Sequence, residues 1–197
     1  MVKTQPIGVM KLILHNKTTI SCHAEGNPVP KYQWIKRLSN NRETIKSYTS
    51  QLVIEDVGYV DQGEYRCVAV NRIGGKRREA KSDAVRIEVV GSPISVKDAG
   101  EVVGTHGSDV TLDVEFCSDP VPSESAWEWG EIVLPLGSEI GDRFKAELVS
   151  HPHMEDCYIS RLTVKEVTID DGTEYRLILG NIHGNDVMPV TLRIKGT

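Results

Sequence analysis

Apolar and polar residues alternate along this chain in short runs, and turn residues separate one run from the next. Val85-Arg86-Ile87-Glu88-Val89 is the plainest case, with every second side chain apolar, the period of a strand that buries one face. No stretch sustains a helical period, so the pattern predicts an all-β protein. In the first half, strands are predicted at Lys11 to Leu14, Thr18 to Cys22, Lys31 to Arg37, Gln51 to Ile54, Glu64 to Val70 and Val85 to Val89. Gly26-Asn27-Pro28-Val29-Pro30 predicts a turn and Asn71-Arg72-Ile73-Gly74-Gly75 a hairpin tip. The second half repeats this frame: Pro120-Val121-Pro122 aligns with Pro28-Val29-Pro30, and Leu162, Val164 and Tyr175 align with Leu52, Ile54 and Tyr65. Two sandwiches are therefore expected, at residues 1–91 and 92–197, each of a size that can bury its own core. Val89-Val90-Gly91-Ser92-Pro93-Ile94 leaves almost no linker between them, which predicts a stiff joint and an extended pair.

Cys22, Trp34 and Cys67 follow one another along the first half, and Asp61-Gln62-Gly63-Glu64-Tyr65-Arg66-Cys67 has the form D-x-G-x-Y-x-C. These residues resemble the landmarks of an immunoglobulin sandwich. The resemblance implies a Cys22 to Cys67 bridge, and tyrosine corners at Asp61 with Tyr65 and at Asp171 with Tyr175 in place of acid–base pairs. With only 18 positions from Trp34 to Leu52, and Val68-Ala69-Val70-Asn71 followed by Gly74, the first domain resembles the I-set. The second has 35 positions from Trp127 to Leu162, room for extra edge strands, and Arg143-Phe144 resembles the variable type in pairing an arginine with Asp171. It resembles an intermediate between the two types, with Thr173 where the first domain has Gly63.

The same alignment puts Val114 and Leu177 where the first domain has Cys22 and Cys67. Cys117 then falls late on strand B and Cys157 at the start of strand E, antiparallel neighbours in such a sandwich, so a relocated bridge between them is expected. If Val114, Phe116, Leu162 and Val164 face the core, alternation points both cysteines to the outer surface of one sheet. The moved cystine and Trp127-Glu128-Trp129-Gly130 resemble invertebrate members of the echinoid-like or nephrin-like kind.

Composition sharpens this in three ways. The two intradomain cysteine pairs favour an oxidising compartment, and Asn16-Lys17-Thr18 is a glycosylation sequon. No stretch is long and apolar enough to span a membrane, and Met1-Val2-Lys3-Thr4 lacks the apolar core of a leader, so the chain is read as part of something larger. The net charge of −5 hides a division: 15 Lys and Arg against 9 Asp and Glu through Gly91, or +6, and 8 against 19 from Ser92 onward, or −11. Opposite signs on two halves can steer association with a partner or with a second copy.

No nucleophile elbow, phosphate loop, zinc-finger spacing or dinucleotide fingerprint is present, so no catalytic residue, cofactor or nucleic-acid partner is assigned. His151-Pro152-His153-Met154-Glu155-Asp156 is rich in metal-ligand types but reads as a polar turn, because a closed site needs three or four ligands in fixed geometry. Lys76-Arg77-Arg78, with Arg72 and Lys31 nearby, is either a solvated loop or a contact for an anionic glycan or acidic protein. Strand parity supplies the sharper surface: with Trp34, Tyr65, Cys67 and Ala69 inward, Gln33, Ile35, Arg37, Arg66, Val68 and Val70 point outward. Of these, Ile35, Arg37, Arg66, Val68 and Val70 are the expected binding residues.

The resemblance implies an extracellular fragment of a cell-surface adhesion or recognition protein, from a membrane-attached parent, that binds another cell-surface protein homophilically or heterophilically. An ectodomain piece of a receptor kinase or phosphatase would share these features. A titin-like sarcomeric module is the remaining alternative, but it works in reducing cytosol and needs no outward cystine.

Overall fold

The structure, a computed structural model of the chain, describes residues 2–38, 40–98 and 100–196. The chain divides into two compact units, Met1–Val90 and Gly91–Thr197. The first contains β1 (Val2–Gln5), β2 (Gly8–Ile13), β3 (Thr18–Ala24), β4 (Lys31–Arg37), β5 (Glu43–Ser47), β6 (Gln51–Ile54), β7 (Gly63–Ile73), β8 (Lys76–Lys81) and the start of β9 (Val85–Ser95). One sheet has the order β1-β3-β6, all antiparallel. In the other, β5 lies on β4 and β4 on β7, while β2 runs parallel to β9.

β7 is long enough to take two partners in succession. Gly63 to Tyr65 pair with β9, and Val68 to Ile73 pair with β8. Ser82 sits buried at the break between these partners, donating its backbone N–H to the Cys67 carbonyl at 2.9 Å and accepting the Cys67 N–H on its hydroxyl at 3.0 Å. The ladder thus loses no hydrogen bond where the strand changes. Between the sheets lie Ile20, Trp34, Leu52, Tyr65, Val85 and Ile87, all buried, with the Cys22–Cys67 cystine joining β3 to β7.

The second unit contains β10 (Glu101–Thr105), β11 (Val110–Asp119), β12 (Glu124–Trp129), β13 (Ile132–Pro135), β14 (Glu139–Ile140), β15 (Phe144–Ser150), β16 (Cys157–Val164), β17 (Glu174–Asn181) and β18 (Gly184–Lys195). Its sheets run β10-β18-β17-β12-β13 and β14-β15-β16-β11, with the end of β9 adding to β11 at Gly91, Ile94 and Ser95. The long interval between Trp127 and Leu162 is filled by β13, β14 and β15. Val114 and Leu177 are buried in the core beside Trp127, whose indole N–H donates to the Ser160 hydroxyl at 3.0 Å.

Each unit closes below its long strand on a tyrosine hydroxyl. Tyr65 donates to the Asp61 carbonyl at 2.8 Å and Tyr175 to the Asp171 carbonyl at 3.1 Å. The second corner carries an ion pair, Arg143 with Asp171, that has no counterpart at the first among the described residues. Burial alone would raise the Asp171 pKa, but one carboxylate oxygen accepts from the Thr168 N–H at 2.7 Å, from Arg143 Nη2 at 2.7 Å and from the Thr168 hydroxyl at 3.0 Å, and together these hold it below the ordinary value. A depressed carboxyl pKa stabilises the fold above the unfolded-state pKa, and that contribution disappears as pH falls through the folded-state value. Arg143→Ala should therefore destabilise the second unit by about 1–3 kcal/mol at neutral pH, with the loss shrinking in acid once Asp171 is protonated in both proteins. Thermal melts of the two proteins across that range check this; an equal gap at every pH would assign the loss to packing.

Candidate binding face

The solvent side of β5-β4-β7-β8 is the broadest regular surface of the first unit. Cross-strand register sets its rows: Ile45, Ile35 and Arg66 lie abreast, Gln33, Val68 and Lys81 form the next, and Lys31, Val70 and Glu79 the one beyond. Alternation had all five expected residues pointing outward, and the structure brings them onto this one face. Their exposure differs from the expectation. Arg37 and Arg66 are exposed and Val70 is half-buried, but Ile35 is only 7% exposed and Val68 only 4%.

The cover comes from charged neighbours. Lys81 on β8 reaches Glu43 on β5 at 3.8 Å, and Arg37 meets Glu64 at 3.5 Å, so paired side chains arch over β4 and β7. Long charged side chains shield apolar surface with their methylene stems while keeping their heads in water. Ile35, Arg37, Glu43, Glu64, Arg66 and Lys81 line a shallow depression of about 230 Å³ whose apolar floor is narrow. Arg66 has no carboxylate partner among the described residues. Glu43, Glu64 and Lys81 were not singled out in the sequence. The outward parity of Glu64 was readable; the reach of Lys81 over two strands was not, because β8 itself was missed.

That strand corrects a second expectation. Lys76-Arg77-Arg78 is the start of β8, not a loop. All six β8 side chains are exposed, so no apolar alternation marks it, and a strand solvated on both faces is indistinguishable from a loop by pattern.

Residues 2–71 match the family model of the immunoglobulin domain. Kin of IRRE-like protein 3 of Homo sapiens is 30% identical over 186 residues, which cover 93% of this chain and 22% of that protein. Neural cell adhesion molecule 1-A of Xenopus laevis is 28% identical over 185 residues, covering 89% of this chain and 15% of that protein. In fold, the Dpr2 Ig1-Ig2 structure solved in complex with DIP-Theta Ig1-Ig3 matches with a TM-score of 0.58 at 22% identity, over 98% of this chain and 65% of that one. The first unit belongs to the immunoglobulin domain family, and the second shares its fold. It spans under a quarter of the length of the two curated relatives.

In the first immunoglobulin domain the cystine joins the two sheets. In the second it lies within one: Cys117 and Cys157 face each other across β11 and β16 with Cα atoms 3.9 Å apart. Both cysteines share the outer-face parity of Asp113 and Glu115, yet each is only 2% exposed, so the expectation of a surface cystine holds for side and not for solvent. The turn after β15 is bonded to both strands beside them, and Ile94 of β9 is in register with Cys117. His151 donates its N–H to the Cys157 carbonyl at 2.8 Å, Ser118 donates to the Asp156 carbonyl at 2.8 Å, and the His151 ring, 14% exposed, lies 3.9 Å from Glu115. His151 Nδ1 accepts the N–H of His153 at 3.2 Å, so this histidine is used in the turn. Among the described residues, no group of three or more His, Cys, Asp or Glu is placed to hold a metal. Asn16 lies exposed in the β2–β3 turn, its backbone fixed by bonds to Ile13 at 3.1 Å and Val57 at 3.0 Å.

Proposed function

We propose that this pair of immunoglobulin domains is an extracellular segment of a cell-surface adhesion or recognition protein, and that it binds another cell-surface protein through the β5-β4-β7-β8 face of its first domain. The observation that carries the reading is Arg66, an exposed guanidinium without an ion-pair partner among the described residues, placed beside the apolar floor of Ile35 at the centre of that face. Interfaces concentrate energy in such arginines at the edge of an apolar centre. The similarity to a neural cell adhesion molecule supports the adhesion role. The cystine in each domain favours the extracellular side over a sarcomeric module, since disulfides persist in oxidising compartments. The exposed sequon at Asn16 agrees with that placement. No catalytic role is proposed.

The purified chain should be screened against itself and against a panel of cell-surface ectodomains. Arg66→Glu should weaken the partner so found by about tenfold or more, with an unchanged melting temperature. Unchanged affinity for that partner would exclude this face.

A further inference from the structure

Next to the proposed protein-binding centre, the same face holds a second hollow of different chemistry. It measures about 420 Å³ and is lined by Lys31, Tyr32, Gln33, Tyr48, Val70, Arg72 and Arg77. Three of these are cations and none is a carboxylate. Lys31 and Arg72 have no ion-pair partner among the described residues, while Arg77 is engaged by Glu79 from its own strand. Tyr48 stands in the wall with 69% of its surface in solvent.

The register gathers these cations on one side of the sheet. Arg72 and Arg77 are directly opposite across β7 and β8, and Lys31, abreast of Val70, is one row away on the same side. Like charges directly opposite in an antiparallel pair destabilise the sheet. Departures of this kind from a local rule are expected at functional or strained sites. The backbone beneath is held firmly: Asn71 donates its side-chain amide to the Pro28 carbonyl at 2.6 Å, tying β7 to the turn ahead of β4.

We infer that this hollow binds a sulfated glycosaminoglycan chain. Three cations spread around a hollow of this volume suit several anionic groups at successive positions better than a single carboxylate. Tyr48 offers the flat apolar face on which a pyranose ring packs, and Gln33 offers polar groups for sugar hydroxyls, while the Tyr32 hydroxyl is held by the Ala24 backbone. The positive charge of the first domain adds a long-range attraction for the same ligand. The inference rests on the reading of this face as an extracellular recognition surface, and it adds a ligand class to it.

The test uses the full chain and a heparin hexasaccharide, measured by calorimetry. Arg72→Glu should weaken binding by about tenfold or more, and Tyr48→Ala by about threefold. Arg78→Glu makes the same charge change next door on β8 but on the opposite face by strand alternation, and should have a much smaller effect. Fully desulfated heparin hexasaccharide should not bind. Equal losses for Arg72→Glu and Arg78→Glu would overturn the proposal in favour of diffuse attraction. So would binding of a sialylated trisaccharide or an acidic peptide in preference to heparin, or no binding of heparin at all. Heparin failing while Arg66-dependent protein binding persists sinks this inference alone; failure of both removes the recognition surface itself.

Discussion

Ile35→Asp is expected to unfold the first domain rather than to disarm a binding face. Strand parity alone marks Ile35 as an outward residue on which a charge would be harmless to stability. The structure buries it beneath Arg37, Glu43, Glu64, Arg66 and Lys81, so an aspartate there would lose its water and leave the ion pairs above it disturbed. Arg66 is abreast of it and offers only partial compensation. A cost of about 4 kcal/mol follows, which in a domain of this size lowers the melting temperature by roughly 15–30 °C. Val68→Asp, beneath Lys81, should behave alike. Arg66→Glu, at an exposed position in the same row, should leave the melting temperature within a few degrees. If Ile35→Asp melts like the parent, the charged cover opens readily and Ile35 is available to a partner after all.

The features legible in the sequence are those set by strand alternation and by the residues flanking each cysteine. The two sandwiches, the inward Trp34 and Trp127, and the apolar pair at Val114 and Leu177 followed from a period of two and from aligning one half with the other. Tyr65 and Tyr175 were placed by their spacing from aspartate. Burial on the outer faces was not legible, because it depends on which side chains from other strands lean over a position. Lys81 beside Val68 and the turn of His151 beside the cystine are such cases, each set by strand register or turn conformation and not by alternation along one strand. The hollow around Tyr48 was missed for a related reason. Its basic residues were visible as Lys76-Arg77-Arg78, Arg72 and Lys31, but only the β7–β8 register separates Arg77, on the face, from Lys76 and Arg78, which are not among its lining residues.

Removing the cystines should cost the two domains about the same through chain entropy and different amounts through packing. Cys22–Cys67 closes a separation of 45 residues and Cys117–Cys157 one of 40, so loop closure in the unfolded chain contributes about 4 kcal/mol in each case. Cys67 is paired in register with Trp34 inside the core, and alanine at both positions would leave a void there that the facing sheets cannot close, adding about 1–2 kcal/mol. The second cystine lies on the outer side of one sheet beside the turn around His151, and a turn can settle onto alanine where two sheets cannot. Cys22→Ala with Cys67→Ala should therefore destabilise its domain more than Cys117→Ala with Cys157→Ala destabilises the other. The second domain already shows that an apolar pair beside the tryptophan can stand in for a cystine, since Leu177 is in register with Trp127 as Cys67 is with Trp34. Cys22→Val with Cys67→Ala, close in volume to the cystine it replaces, should thus recover the packing part of the loss and none of the entropic part. Denaturant titrations of the three double variants separate these contributions. If valine and alanine recover nothing relative to two alanines, the core around Trp34 collapses onto the smaller side chains and the void argument fails.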